Sequence, residues 1–242
     1  MHRFLEPFFQ FFLPPQCPCC ERFLEEGRKG VCPDCFSEIR WIEPPFCSIC
    51  GTPFSSGAGE SHPCSDCLTK KRYFEMARAL GFYVGPLQKM IHRWKYRGKT
   101  SLTSSLGEWM ATGLLHFWDP PLFDLLIPVP LHIHRNRERG FNQVLLLVQE
   151  LSRKTGIPYR KRLLQKKQVT PPQVNLSGAE REKAVRNAFQ VVGNENLEGK
   201  SILLVDDVYT TGATVNECSR VLIARGAERV DVLTLAHAVK RS

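Results

Sequence analysis

Two adjacent aspartates and a threonine-rich loop, within residues 201–214, are the part of this chain best suited to do chemistry. The apolar run Ile202–Val205 leads into Asp206 and Asp207, and the loop 210–214 reads T-T-G-A-T. A short apolar run bounded by turn signals favours a buried parallel strand, and open α/β sheets bind ligands at the carboxyl ends of such strands. A loop that opens a helix offers backbone N–H groups to an anion. The spacing therefore predicts a phosphate site beside two carboxylates, which suit sugar hydroxyls or hydrated Mg²⁺.

The segment resembles the phosphoribosyl-pyrophosphate (PRPP) signature of type I phosphoribosyltransferases, in which an apolar strand, two acids and T-T-G-x-T follow in order. The resemblance implies that Asp206 and Asp207 are the catalytic acids that bind the ribose hydroxyls. The string G-K-[ST] occurs at 98–100 and 199–201, but no complete Walker A loop and no G-x-G-x-x-G is present. An ordinary strand–turn–helix with an acidic turn is the alternative. The resemblance assigns the 5′-phosphate to Thr210, Thr211, Gly212, Ala213 and Thr214.

Nine of the ten cysteines lie in the first 67 residues, and eight of them form C-x-x-C pairs. This spacing suits tetrahedral thiolate sites, so four pairs predict two structural Zn²⁺ ions. Sequential pairing would give the first two pairs one ion and the last two pairs the other. A cross-braced arrangement, a single zinc, and disulfide or redox pairs are the alternatives. The predicted ligands are Cys17, Cys20, Cys32, Cys35, Cys47, Cys50, Cys64 and Cys67.

Three other residues have side chains that can bind a metal but are not predicted ligands. Cys19 lies between two predicted ligands and is interpreted as a spectator. His62 could replace a cysteine, although a solvated loop histidine is the favoured interpretation. Cys218 follows the threonine-rich loop and is predicted to be a buried helix residue.

The remaining sequence alternates strands with helices, which predicts an α/β domain with a mostly parallel sheet and helices on both faces. We expect an apolar leader at 1–16, a double zinc-ribbon module at 17–70 and a phosphoribosyltransferase-like domain at 75–240. The predicted strands are 75–84, 123–129, 159–164, 202–205 and 230–235. Three predicted helices span 101–118, 142–154 and 215–225. Two more are predicted to begin at Pro86 and at Ser177.

Three further strings extend the resemblance over residues 14–236. They are P-V-P-L-H at 128–132, R-G-F-N-Q at 139–143 and T-P-P-Q at 170–173. With the cysteine pairs and the PRPP signature, they resemble the ComF family of bacterial competence proteins. The resemblance implies a PRPP site that uses Mg²⁺, structural zinc and a role in DNA uptake.

The loop after Val129 follows a predicted strand at its carboxyl end. In type I phosphoribosyltransferases this position is the pyrophosphate loop, and planar guanidinium groups suit phosphate oxygens. A basic surface turn is the alternative for the arginines. Residues 165–183 resemble a mobile flap that closes over the site. The residues assigned to pyrophosphate by this resemblance are Pro130, Leu131, His132, Arg135, Arg137 and Arg139.

The formal net charge is +9, and residues 131–186 hold thirteen Lys and Arg against four Glu. A second basic stretch, 89–99, contains no acid. Such blocks favour phosphate ligands, and aromatic side chains among them suit single-stranded DNA. Trp94 repeats at helical spacing and is interpreted as core, and a solvated basic face is the alternative for the lysines. The predicted DNA-binding residues are Lys89, Arg93, Lys95, Tyr96, Arg97 and Lys99.

Three functions are compatible with these features. The chain could transfer a phosphoribosyl group to an unidentified nucleophile, or it could sense PRPP or a nucleotide without catalysis. It could also bind single-stranded DNA during natural transformation, with the zinc module docking a helicase or recombination mediator. The apolar residues 4–13 are too short and interrupted for a secretory signal, so the thiols indicate a reducing cytoplasm. No run is long enough to span a membrane.

Overall fold

The computed structural model describes residues 15–25, 27, 30–55, 57, 59–96, 102–118, 123–130, 142–167 and 185–238. Its helices are α1 (Pro33–Ser37), α2 (Ser65–Thr69), α3 (Gly85–Tyr96), α4 (Leu102–Phe117), α5 (Gln143–Thr155) and α6 (Ala213–Ile223). Its strands are β1 (Ala77–Phe82), β2 (Leu125–Pro128), β3 (Leu164–Lys166), β4 (Phe189–Val191), β5 (Ser201–Tyr209) and β6 (Arg229–His237).

Four strands form a parallel sheet in the order β1-β6-β5-β2. The interior strands β5 and β6 are apolar over most of their length, and Ile202–Val205 are fully buried, as expected for a parallel sheet covered on both faces. The register aligns Asp206 with Thr234 and Tyr209 with His237. The ladder therefore continues past the two aspartates and ends directly before the threonine-rich loop.

Helices cover both faces of this sheet, as the alternating sequence pattern predicts. On one face α3, α4 and α5 pack over Leu203, Val205 and Leu233. On the other face α6 and the antiparallel β3–β4 hairpin pack over Ile202 and Leu204. Helix α4 approaches closely because Gly107 lies against Glu150 of α5 and Gly113 against Leu80 of β1.

The cysteine-rich residues share both of these cores. Cys17, Cys32 and Cys35 belong to the cluster that contains α3, α4 and α5. Cys47 and Cys50 belong to the cluster that contains α6 and the hairpin. The N-terminal module is therefore packed across the sheet and contributes apolar surface to each side of it.

Both edges of the sheet are hydrogen-bonded by segments that are not strands of it. The N–H of Ile42 donates to the Leu80 carbonyl of β1, and the N–H of Phe82 donates to Arg40. At the other edge, the Leu126 N–H of β2 donates to Pro158, and Arg160 donates back to Leu126. These contacts satisfy backbone groups that an open edge would leave exposed.

The prediction of a strand over 159–164 was wrong. Tyr159 makes a single parallel bridge to Leu126, and Leu164 begins the separate hairpin with β4. The helix predicted over 215–225 instead begins at Ala213 and ends at Ile223. Residues 1–14 of the predicted leader 1–16 lie outside the described residues, as does the predicted helix start at Ser177. Among the described helices, none combines the length and the apolar character needed to cross a bilayer.

Candidate functional site

Asp206 and Asp207 lie near the carboxyl end of β5, and they face different surroundings because side chains alternate along a strand. Asp207 is only 8% exposed, and its Oδ1 lies 2.7 Å from the Lys95 Nζ of α3. The side chain of Gln143 in α5 donates to the Lys95 carbonyl at 3.1 Å. Asp207 is therefore paired with α3, and α5 is hydrogen-bonded to the same residue of α3.

Among the described residues, Asp206 forms no ion pair like that of Asp207 with Lys95. Burial, and second the charge of Asp207, raise the pKa of Asp206 to about 8, while the Asp207 N–H and Lys95 act in the opposite direction. That N–H donates to Asp206 Oδ1 at 2.8 Å. Below pH 8 the Asp206 carboxyl is therefore mostly protonated, and a bound cation or sugar hydroxyls would favour its ionised form.

The threonine-rich loop connects β5 directly to α6. Gly212 caps α6 with a φ of 74°, a left-handed conformation that favours glycine. A Cβ there would overlap the Tyr209 ring, so the position also requires a residue without a side chain. The first turn of α6 contains no acid, and its N–H groups can bind an anion. The Ala213 N–H also lies 3.4 Å from Thr211 Oγ1.

The predicted pyrophosphate loop follows β2, beside this site. The Val129 N–H donates to the Val205 carbonyl of β5 at 2.9 Å, so the two chain segments leave the sheet side by side. Pro130 is half-buried at the start of the loop. Leu131, His132, Arg135, Arg137 and Arg139 lie outside the described residues, as do residues 168–183 of the predicted flap.

The eight paired cysteines form two clusters, and each joins pairs that are consecutive in the sequence. Cys17, Cys20, Cys32 and Cys35 form the first cluster, and Cys47, Cys50, Cys64 and Cys67 form the second. Within each cluster the sulfur atoms lie within 4.8 Å of one another. None of the ten cysteines, all of which are described, forms a disulfide. The grouping is therefore sequential and not cross-braced.

The geometry of both clusters suits Zn²⁺. The Cys20–Cys32 and Cys50–Cys64 sulfur pairs are each 3.7 Å apart, and a Zn–S bond of about 2.3 Å places tetrahedral sulfurs about 3.8 Å apart. Backbone N–H groups also donate to ligand sulfurs, for example Cys64 N to Cys47 Sγ at 3.2 Å. Such donors offset the negative charge that four thiolates leave on the site.

Comparison with known proteins gives matches for both parts of the chain. Residues 8–68 match the double zinc ribbon domain family, and residues 145–241 match the phosphoribosyl transferase domain family. The chain is 31% identical to Competence protein F of Haemophilus influenzae (strain ATCC 51907 / DSM 11121 / KW20 / Rd), over 96% of this chain and 99% of that protein. The chain belongs to the ComF family.

Other members are similar over most of their length. DNA utilization protein YhgH of Escherichia coli (strain K12) is 32% identical, over 92% of this chain and 97% of that protein. Competence protein ComFC of Bacillus subtilis (strain 168) is 29% identical, over 88% of this chain and 86% of that protein. The two cysteine clusters of this ComF chain are thus the two sites of a double zinc ribbon, and its sheet belongs to a phosphoribosyl transferase-like fold.

The three residues that sequence reasoning assigned no ligand role stay outside both clusters. Cys19 is buried, and its Sγ lies 3.5 Å from the Pro86 carbonyl of α3. His62 stacks on Phe54 with ring centroids 4.5 Å apart. Cys218 is fully buried in α6, which confirms its interpretation as a buried helix residue.

A cavity of about 890 Å³ lies between the second cysteine cluster and the threonine-rich loop. Sequence reasoning missed its key residues, since Thr52, Arg72, Tyr209 and His237 come from distant parts of the chain. Burial lowers the pKa of His237 to about 4, so its ring is neutral at pH 7. No spacing signal could have brought these four residues together, because each lies on a different segment. The lining residues used below are Cys50, Thr52, Arg72, Tyr209, Thr210, Thr211 and His237.

The predicted DNA-binding stretch divides into different environments. Lys95 pairs with Asp207, and Arg93 pairs with Glu21 at 2.5 Å. Trp94 is fully buried, whereas Tyr96 is 60% exposed and lies against His92. Lys89 is exposed, and Arg97 and Lys99 lie outside the described residues. A role of this stretch in DNA binding remains a prediction.

Proposed function

We propose that this ComF-family chain binds PRPP with Mg²⁺ at the carboxyl end of β5 and acts in the uptake and use of DNA. The observation that carries the proposal is the direct passage from the two aspartates into a loop that opens α6 at Gly212. The match to the phosphoribosyl transferase domain family supports it. The names of the relatives, competence and DNA utilization proteins, support the second half.

The chemistry follows from the donors and acceptors at this edge. The N–H groups of α6 and the hydroxyls of Thr210 and Thr211 would donate to the 5′-phosphate. The ribose hydroxyls would donate to the aspartates, most strongly to an ionised Asp206. Mg²⁺ would offset the charge of the pyrophosphate, which the loop after β2 would hold. Zinc would stabilise the fold through both cysteine clusters, and the thiol-rich sites suit a reducing cytoplasm.

Calorimetric titration of PRPP with Mg²⁺ tests the binding site. We expect the wild type to bind and the variant Thr210→Val/Thr211→Val to bind at least about tenfold more weakly, because hydrogen bonds to a charged phosphate are lost. Thr112→Val is the matched control, since Thr112 is an exposed threonine of α4. Absence of binding by folded, zinc-loaded wild type would exclude the proposal. Release of pyrophosphate on adding candidate acceptors would distinguish a transferase from a sensor.

Single-stranded DNA is a second candidate ligand, favoured by a groove of about 600 Å³ beside α6. The residues 70–73, which leave the second ribbon, form one wall, and 185–187 form the other. Arg220 of α6 also lines the groove and pairs with Glu217 of the same helix at 2.7 Å. The five basic residues that line this groove are Lys70, Lys71, Arg72, Arg186 and Arg220.

Fluorescence anisotropy with labelled oligo-dT, measured at several salt concentrations, tests this groove. We expect Lys71→Ala/Arg186→Ala to weaken binding and to reduce the slope of log K against log salt by about 1 to 2, since each phosphate contact releases counterions. Lys89→Ala, in the other basic stretch, is the comparison. If only Lys89→Ala changes the slope, the DNA path follows α3 instead. Pull-down with a helicase or a recombination mediator would test the proposed protein partner separately.

A further inference from the structure

A continuous series of contacts connects the second cysteine cluster to the threonine-rich loop. Cys50 Sγ lies 3.1 Å from Thr52 Oγ1, and Thr52 Oγ1 lies 3.2 Å from His237 Nε2. The backbone of Thr52 is held by the same ribbon, because the Cys47 N–H donates to its carbonyl at 2.8 Å. A side-chain hydroxyl of the ribbon thus lies between a predicted zinc ligand and the end of β6.

Zinc binding would set the direction of these hydrogen bonds. A zinc-bound thiolate carries no proton, so Cys50 Sγ can only accept, and the Thr52 hydroxyl must donate to it. The Thr52 oxygen is then left to accept from His237 Nε2–H. This arrangement selects one tautomer of His237, as hydrogen bonds around a metal site commonly do for histidine.

Packing continues the series from His237 into the loop. The rings of His237 and Tyr209 stack with centroids 5.0 Å apart and planes 27° from parallel. Tyr209 is 5% exposed, and its ring lies where a side chain at Gly212 would lie. The Ala238 N–H donates to the Tyr209 carbonyl at 2.8 Å. Gly212, the N-cap residue of α6, is therefore packed against Tyr209, which in turn stacks on His237.

We propose that the zinc-loaded second ribbon positions the threonine-rich loop through Thr52, His237 and Tyr209. The first ribbon provides an internal contrast, because its Cys19, which is not a member of the cluster, contacts α3, and its cluster packs on the opposite core of the sheet. The residue that corresponds to Thr52 in the first ribbon is Arg22, two positions after Cys20, and its Nε lies 3.4 Å from Cys20 Sγ. Thr52 is thus a positioning residue that contacts both Cys50 and His237, whereas Arg22 contacts Cys20 in the other ribbon.

Hydrogen exchange of the full zinc-loaded chain tests this proposal without any ligand. Thr52→Val should raise exchange at the loop amides of 210–214 about five- to tenfold, because a buried hydrogen bond is lost. Thr52→Ser should restore the wild-type rate, and Arg22→Lys should leave it unchanged. Peptides from α5 report global stability and should not change. Equal exchange of the loop in wild type and Thr52→Val, or an equal rise in α5, would overturn the proposal.

The same variants, titrated with PRPP and Mg²⁺, give a second measurement, which alone rests on the proposed function. Thr52→Val should weaken PRPP binding about five- to tenfold, with rescue in Thr52→Ser. Failure of the wild type to bind PRPP would refute the proposed function, while loop exchange would still decide the coupling. Normal PRPP affinity in Thr52→Val would refute the coupling and leave the proposed function intact. The imidazole ¹⁵N chemical shifts of His237 report its tautomer. They should show a change of tautomer in Thr52→Val and none in Thr52→Ser or Arg22→Lys.

Discussion

Raising the pH should strengthen PRPP binding by this chain, because an ionised Asp206 accepts hydrogen bonds from the ribose, and attracts Mg²⁺, more strongly than a protonated Asp206. With a pKa of about 8, the carboxyl is ionised in roughly one molecule in eleven at pH 7 and in about ten of eleven at pH 9. The apparent dissociation constant scales inversely with the competent fraction. Between pH 7 and pH 9 the affinity should therefore rise about tenfold, with uptake of the released proton by the buffer.

Isothermal titration calorimetry in buffers of different ionisation enthalpy measures both the affinity for PRPP and the number of protons released on binding. The ligand phosphates titrate near pH 6, so the range from pH 7 to pH 9 largely excludes them. Asp206→Asn is the control, since an amide oxygen can still accept from the Asp207 N–H and has no proton to lose. This variant should bind more weakly and without the tenfold rise. A wild-type affinity that is constant from pH 7 to pH 9 would refute the assigned protonation of Asp206.

Three further predictions address the metal sites and the supports of the loop. Metal analysis should find two Zn²⁺ per chain, one for each cluster, and Cys50→Ser should lower this to one; an unchanged content would contradict the assignment. Gly212→Ala should weaken PRPP binding at least about tenfold, because the methyl group overlaps Tyr209 and the φ is positive; normal calorimetric affinity would show that the loop adapts. Asp207→Asn should cost about 1–3 kcal/mol in urea unfolding, since it leaves Lys95 without its anion, and a double-mutant cycle with Lys95→Met that gives no coupling would argue against this pair.

The features that sequence reasoning predicted are those encoded over short distances along the chain. The C-x-x-C spacing predicts that the two sulfurs of each pair share an ion, whereas the sequential grouping of the pairs is seen only in the structure. The run from Ile202 through Asp207 to the loop likewise lies within one strand–loop–helix unit. Strand type and position follow from such local patterns.

Other features depend on residues far apart in sequence, and no local pattern encodes them. Lys95 belongs to a basic stretch that resembles a DNA-binding surface, yet the fold places it on Asp207. Thr52 and His237 are separated by 185 positions and meet only because the second ribbon packs on the end of β6. The sequence predicts a strand over 159–164, but the chain makes only a single bridge, between Tyr159 and Leu126, before it leaves the sheet. Tertiary context decided each of these outcomes.

The coverage of both sheet edges has a consequence for self-association. Arg40 and Ile42 occupy the backbone groups of β1, and Pro158 and Arg160 occupy those of β2. Within the part of the chain that the structure describes, these covering segments leave the two sheet edges fewer N–H and C=O groups with which a second copy could pair. A dimer that extended the four-stranded sheet would first have to displace one of these covering segments from its edge.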